Sequence, residues 1–253
     1  RDGINAKENY QKEHLKGARF VDLNEDLATV ENPANGGRHP LPSLEKFSQV
    51  LAKLGISPLS HIVIYDDKNG SNAAARFWWM LRAIGHEKVQ VLNGGLQAAI
   101  QIGFPVSSEL ETFEPTEKYP FTEWKLAQAD INEVEKARNK EESIVIDVRD
   151  QNRFDGLTEP LDLIAGHIPG AINVPFSENL DEDGFYKSAE VLAEKYSKIT
   201  GNKNPENIIV HCGSGVTACH TLLAMDYAGL AIPKLYVGSW SEWSRNDREL
   251  ATK

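Results

Sequence analysis

No stretch of this chain is apolar and long enough to cross a bilayer, and its first residues, Arg1-Asp2-Gly3-Ile4-Asn5, carry no apolar signal-peptide core. Positive charge is scarce: 27 Lys and Arg face 37 Asp and Glu, a formal net charge of -10, which argues against nucleic acid or an anionic membrane surface as a partner. Cysteine is scarcer still. The two that occur, Cys212 and Cys219, are close in sequence on one loop-helix unit and make a poor disulfide pair, so a reduced, cytoplasmic protein is expected. What remains is ample for folding: 253 residues at 41% apolar content can bury one large core or two ordinary ones.

The most informative segment surrounds the first of those cysteines. Ile208-Ile209-Val210 is a short apolar run of the buried-strand type, and from Val216 to Ala228 apolar residues recur at helical spacing. Between them lies His211-Cys212-Gly213-Ser214-Gly215-Val216-Thr217-Ala218. Two glycines let such a loop curl so that successive N–H groups point inward, and those donors, with the positive end of the following helix, stabilise an anion beside the thiol. The predicted chemistry is a nucleophilic sulfur held in a cradle of N–H groups from Gly213, Ser214, Gly215, Val216, Thr217 and Ala218. Cys219, two turns into the helix, reads as a small packing residue. A cysteine enzyme that transfers phosphate needs an arginine six positions after its nucleophile; here that position is Ala218, which disfavours a phosphatase or an arsenate reductase.

Two further segments accompany the loop. Ala165-Gly166-His167-Ile168-Pro169-Gly170-Ala171-Ile172-Asn173-Val174-Pro175 reads as a rigid turn feeding a strand. Tyr236-Val237-Gly238-Ser239-Trp240-Ser241-Glu242-Trp243 places two tryptophans three apart on a short helix, where they can pack beside the cysteine loop. With the loop and in this order, the three resemble the signatures of the rhodanese superfamily, and Cys-Gly-Ser-Gly-Val-Thr is similar to its 3-mercaptopyruvate sulfurtransferase branch. The thiosulfate-specific branch has basic side chains at the two positions after the cysteine, here Gly213 and Ser214. Val237 departs from the second signature, standing where an acidic residue is usual.

The unit is written twice. Glu13-His14-Leu15-Lys16-Gly17-Ala18 echoes the His167 turn, His61 to Asp66 echoes the strand ending in Cys212, and Leu92-Asn93-Gly94-Gly95-Leu96 echoes the Gly238 segment. The matching points draw closer along the chain, implying insertions in the first half, and Glu31 to Pro42 is one plausible place. Strand and helix alternate in each half, predicting an α/β fold of two tandem rhodanese-like domains, each a mainly parallel sheet with helices on both faces. Strands are expected near Val21, Ile62–Tyr65 and Val89–Leu92, then near Ile144–Val148, Ile172–Val174, Ile208–Val210 and Leu235–Val237. The domains are placed at 1–110 and 127–253, with a polar linker at 111–126. Asp66 holds the nucleophile's place in the first half, and a carboxylate cannot accept sulfane sulfur, so that half is expected to be inactive. The sequence Asp67-Lys68-Asn69-Gly70-Ser71 has one glycine, and no inward cradle is expected around Asp66. A strand precedes the His167 turn and none precedes its first-half counterpart, so the first strand is expected to lie upstream of Arg1.

The resemblance implies further roles. Arg153, just after a strand end, matches the arginine that holds the mercaptopyruvate carboxylate. The second such arginine of the family is replaced by Leu161 after Glu159-Pro160. His39 matches a first-domain histidine working with a loop serine, here Ser214, and an acid; the acid's position is Asn24. His211, His220 and Arg149 read as structural, and Arg38 and Arg76 as possible sources of positive potential. Sulfur would pass from 3-mercaptopyruvate through a Cys212 persulfide to cyanide, a thiol or a thioredoxin-like acceptor, by covalent catalysis that needs no metal and no organic cofactor. The competing readings are a thiosulfate:cyanide sulfurtransferase and a non-enzymatic persulfide carrier or sensor.

Overall fold

A computed structural model of the chain describes residues 5–201 and 203–253; the reading of Arg1 to Ile4 lies outside them. The chain forms two compact units. The first runs to Thr29 and resumes over Leu41–Lys125; the second joins Val30–Pro40 to Leu126–Lys253.

In the first unit the elements are α1 (Ala6–Lys12), β1 (His14–Leu15), α2 (Leu44–Lys53), β2 (Ile62–Ile64), α3 (Ala73–Ala83), β3 (Val89–Val91), α4 (Gly95–Gln101) and β4 (Val106–Ser107). Helix α2 starts where Ser43 accepts the Lys46 N–H at 3.1 Å, and it buries Phe47, Val50 and Leu51 on one face. Helix α3 is buried on nearly all sides, from Ala74 to Ala83, and is the unit's central helix. β2 and β3 pair in parallel, whereas β1 and β4 form an antiparallel pair. The strand expected near Val21 does not form: Phe20 to Leu23 is irregular. In the second unit the corresponding strand pairs with the one at Ile144–Asp147; among the described residues of the first unit no strand offers that pairing, so Val21 has no ladder to join. A cavity of about 730 Å³ lies there instead, lined by Phe20, Val21, Leu27, Ile62, Val63 and Phe77 among others.

The 111–126 segment is irregular yet anchored within the first unit. Thr116 N–H bonds Ala52 O, Ser48 Oγ donates to Tyr119 O, and Phe47, Phe121 and Trp124 pack ring against ring. Polar composition concealed these aromatic anchors.

The second unit holds β5 (Gln128–Ala129), α5 (Ile131–Ala137), β6 (Ile144–Asp147), α6 (Gln151–Phe154), β7 (Ile172–Asn173), α7 (Ala189–Thr200), β8 (Ile208–His211), α8 (Ala218–Tyr227), β9 (Lys234–Tyr236) and α9 (Ser239–Trp243). Its sheet, in the order β5-β9-β8-β6-β7, is parallel throughout. β8 lies at the centre and all four of its residues are buried, as expected of a strand covered on both faces. Ile208 pairs with Ile144 and His211 with Asp147, so the chain leaves the sheet at Cys212 beside the end of β6. The core beneath gathers Val134, Ile168, Ile209, Tyr236, Trp240 and Trp243.

Candidate active site

Cys212 follows the central strand directly and is only 3% exposed. The α9 turn holds its backbone: Ser239 Oγ accepts the Cys212 N–H at 3.2 Å, Trp240 N–H donates to Cys212 O at 3.0 Å, and Ser241 N–H donates to Gly213 O at 2.8 Å. With both carbonyls engaged outward, the peptides that follow present their N–H groups on the other side. Among the described residues, no protein acceptor meets the N–H of Gly213, Ser214, Val216 or Thr217. Gly215 adopts φ +70, and a Cβ there would meet Val237 O at 2.4 Å, so this turn accepts glycine alone. Helix α8 begins at Ala218, two residues later than its apolar periodicity suggested, because Val216 and Thr217 complete the turn. Cys219 is buried and its Sγ contacts Gly215 O at 3.4 Å.

The 30–40 segment brings the remaining groups. Gly36 N–H donates to Glu242 at 2.9 Å, and Gly37 sits so close to Gly238 that a Cβ would meet its carbonyl at 2.3 Å. Thus anchored, the segment sets His39 Nδ1 2.7 Å from Ser214 Oγ. It also sets Arg38 against Asp162, with Nε 3.1 Å from Oδ1.

Arg153 makes a fork to Glu159, with Nη2 at 2.7 Å from Oε1 and Nε at 3.1 Å from Oε2, and reaches Asp162 at 3.5 Å. Leu161, between those carboxylates, donates its N–H to Glu159. Arg149 is buried, paired with Asp147 at 2.6 Å and lying over the Trp240 ring at 4.8 Å. Burial alone would raise the Asp147 carboxyl, but the Arg149 charge overrides it and holds the group below the usual range. Burial pushes the His211 imidazole below its ordinary value despite Asp147 nearby, which favours a neutral ring beside Cys212. The His167 turn is structural: its ring stacks on Phe154 at 3.7 Å, and Gly170 is required because a Cβ would strike Arg138 O at 2.5 Å.

Three contributors escaped sequence reading. Ser239 lay in plain view inside the second signature, whereas the sharing of Asp162 by Arg38, Arg153 and Arg245 is a long-range pairing with no local pattern.

One expectation is overturned. The loop after β2 does form a cradle, around Asp66 itself: Oδ1 accepts the N–H of Lys68 at 2.9 Å and Gly70 at 2.8 Å, and Oδ2 those of Asn72 at 3.1 Å and Ala74 at 3.2 Å. Asn69 takes the left-handed conformation, φ +55, that a second glycine would otherwise supply.

Comparison with known proteins agrees with this geometry. The rhodanese-like domain model matches residues 4–101 and again 130–246. A probable 3-mercaptopyruvate sulfurtransferase of Pseudomonas aeruginosa is 37% identical over 240 residues, covering 94% of this chain and 84% of that protein. A thiosulfate sulfurtransferase of Rattus norvegicus is 39% identical over 246 residues, covering 95% and 80%. The solved 3-mercaptopyruvate sulfurtransferase from Leishmania major superposes with a TM-score of 0.82 at 31% identity, over 94% of this chain and 66% of that one. With the domain found twice and relatives of these kinds along nearly its whole length, the chain belongs to the rhodanese family, as a tandem sulfurtransferase.

Proposed function

We propose that this sulfurtransferase takes its sulfur from 3-mercaptopyruvate and stores it on Cys212, within the 127–253 domain, while the 1–110 domain is catalytically inactive. The observation that carries the reading is the Cys212 loop: its own side chains at 213 and 214 bring no cation, and positive charge comes from Arg38 and Arg153, whose Nη2 atoms lie 3.1 and 3.3 Å from the place of a Gly213 Cβ. Thiosulfate, a dianion, lacks loop cations here; a mono-anionic α-keto acid needs fewer.

In the mechanism, the Cys212 thiolate attacks the donor sulfur, an S–S bond forms and the C–S bond breaks. The bonding pair leaves with carbon as the enolate of pyruvate, which takes a proton through Ser214 Oγ, held by His39 Nδ1. The persulfide rests on the N–H groups of the loop from Gly213 to Ala218. A thiol, a thioredoxin-like dithiol or cyanide then attacks the outer sulfur and releases the Cys212 thiolate. The two free, buried thiols suit a reducing cytoplasm.

Side-by-side kcat/KM for the two donors tests this. Each missing charge-assisted contact costs about 10- to 100-fold, so mercaptopyruvate is expected to lead thiosulfate by at least that order. A tenfold lead for thiosulfate would reverse the donor assignment and favour rhodanese proper. Burst formation of persulfide with negligible turnover on every donor would favour a carrier.

A further inference from the structure

We propose that the outward face of the 157–164 segment, formed by Leu157, Leu161, Leu163 and Ile164, docks the protein dithiol that discharges the Cys212 persulfide; the proposal rests on the reading of Cys212 as the sulfur carrier. The segment is folded inside out. Its acids turn inward, with the Asp162 and Glu159 side chains 0% and 3% exposed. Its apolar residues turn outward: Leu157 is 70% exposed, Leu163 72%, Ile164 45% and Leu161 36%. That inverts the usual partition of polar and apolar side chains. The loop is also held against turning over to hide them. Leu157 and Thr158 donate their N–H groups to Asn152 O at 2.9 and 3.2 Å, and Leu161 and Asp162 donate theirs to Glu159 Oε1 at 3.0 and 3.1 Å. Ile164 O takes the Trp240 indole N–H at 2.9 Å. A backbone pinned along its length keeps four neighbouring apolar side chains in water, which is the mark of a surface meant to be covered.

The place of this face identifies its occupant. Its inward acids grip Arg38 and Arg153, and those arginines reach the Gly213 backbone, one residue past Cys212. The leucines therefore border the nucleophile's loop. Cys212 is 3% exposed, so an acceptor must carry its sulfur into a recess while the rest of it lies against the rim. Cyanide or a small thiol covers little of a face spread over eight residues; a protein covers it all. Charge narrows the partner further. The chain carries -10 overall, yet beside the loop Arg38, Arg149, Arg153 and Arg245 share Asp147, Glu159 and Asp162, four cations to three anions. A thiolate set in an apolar surround meets both features, its anion facing the surplus cation and its surround facing the leucines. In the transfer the acceptor thiolate attacks the outer sulfur; that S–S bond forms, the bond to Cys212 Sγ breaks, and the electron pair leaves on Cys212 as thiolate. The acceptor's second thiol, losing its proton to solvent, then attacks the first acceptor sulfur, closing a disulfide and releasing hydrosulfide.

The test loads the full chain with sulfur and follows hydrosulfide release to two dithiols of the same chemistry, reduced thioredoxin as the protein probe and dithiothreitol as the small one. Leu163→Asp, and the double variant Leu157→Asp/Leu163→Asp, are expected to lower kcat/KM for thioredoxin about 10-fold or more, mainly through KM, because a leucine buried by the partner is replaced by a hydrated charge. Dithiothreitol should discharge both variants within about twofold of wild type, which shows that Cys212 and its loop are intact. Leu163→Met keeps the apolar surface and should behave as wild type with both. Equal losses on the two dithiols would make the leucines a brace for the site and overturn the proposal, as would unchanged kinetics on both. A dimer in sedimentation that Leu163→Asp dissociates, with thioredoxin kinetics unchanged, would give the face to a second copy and overturn it too. Failure of the donor reading looks different: Cys212 would load from thiosulfate and not from mercaptopyruvate, while the discharge comparison, run on protein loaded either way, still decides the docking face.

Discussion

The loops after β2 and β8 occupy matching places in the two units and are built alike, yet one holds a carboxylate and the other a thiol. Around Asp66 the inward N–H groups are already satisfied, four of them by one side chain. Around Cys212, among the described residues, those of Gly213, Ser214, Val216 and Thr217 meet no protein acceptor, and the residue that heads the loop is the proposed nucleophile. The backbone of this fold makes an anion site at each strand end; the side chain at its head decides whether the anion is permanent or delivered. In the first unit Asp66 turns the site into a structural staple. In the second, sulfur can come and go.

Exchanging the head residue breaks this comparison most severely. Cys212→Ser is expected to abolish both turnover and the mass gain of one sulfur atom, because a serine hydroxyl neither ionises near neutrality nor stores sulfane sulfur. Cys219→Ala, which removes a buried packing group rather than the loop's head, should keep most activity. Mass spectrometry after incubation with donor reads both; an active Cys212→Ser protein would move the nucleophile elsewhere. Next in size, Arg153→Ala is expected to lower kcat/KM for mercaptopyruvate about 10- to 100-fold and to affect thiosulfate less, since the fork is matched to a carboxylate.

How far the sequence revealed these loops depended on the range of the signal. The strand-Cys-loop-helix order, the duplication and the parallel sheet were readable because apolar runs, glycines and repeated motifs are local. The Asp66 cradle was missed because glycine count stood in for conformation, and Asn69 adopts φ +55 without being glycine. Val21 failed as a strand because pairing needs a neighbour, which periodicity at one segment cannot report. Arg38 was read only as a source of positive potential, and its carboxylate partner went unseen because Asp162 lies more than a hundred positions away.

The staple in the first unit can be tested without touching catalysis. Asp66→Asn keeps the shape but offers one acceptor oxygen and turns an NH₂ group toward backbone donors. Part-buried charge-assisted hydrogen bonds are lost, and unfolding free energy is expected to drop by roughly 2 kcal/mol. Denaturant titration checks it, with kcat/KM measured below the transition expected to stay near wild type. An unchanged midpoint would show that water serves these donors as well as Asp66 does, and the staple would be removed from the comparison.

The smallest effect separates a buried polar group that stabilises from one that costs. His220, on α8 behind the nucleophile loop, is fully buried; it stacks on Tyr186 at 4.5 Å and takes a weak contact from Asn179 at Nδ1, 3.4 Å. Burial first, then the Lys195 charge, pushes its imidazole down to about 3. In the unfolded chain the ring binds a proton near its ordinary value of about 6.5, while the folded ring stays neutral. Between those values the unfolded state holds the extra proton, so stability is full above about 6.5 and falls as pH drops, by about 1.4 kcal/mol per pH unit. His211, lowered for the same reason, adds a contribution of the same sign. His220→Phe keeps an aromatic ring against Tyr186 and removes the titration. Urea midpoints stepped from about pH 7 to about 5 should therefore decline less steeply in the variant, the difference approaching one proton's worth. A variant that keeps the wild-type slope would mean that the folded His220 accepts its proton as readily as the unfolded one.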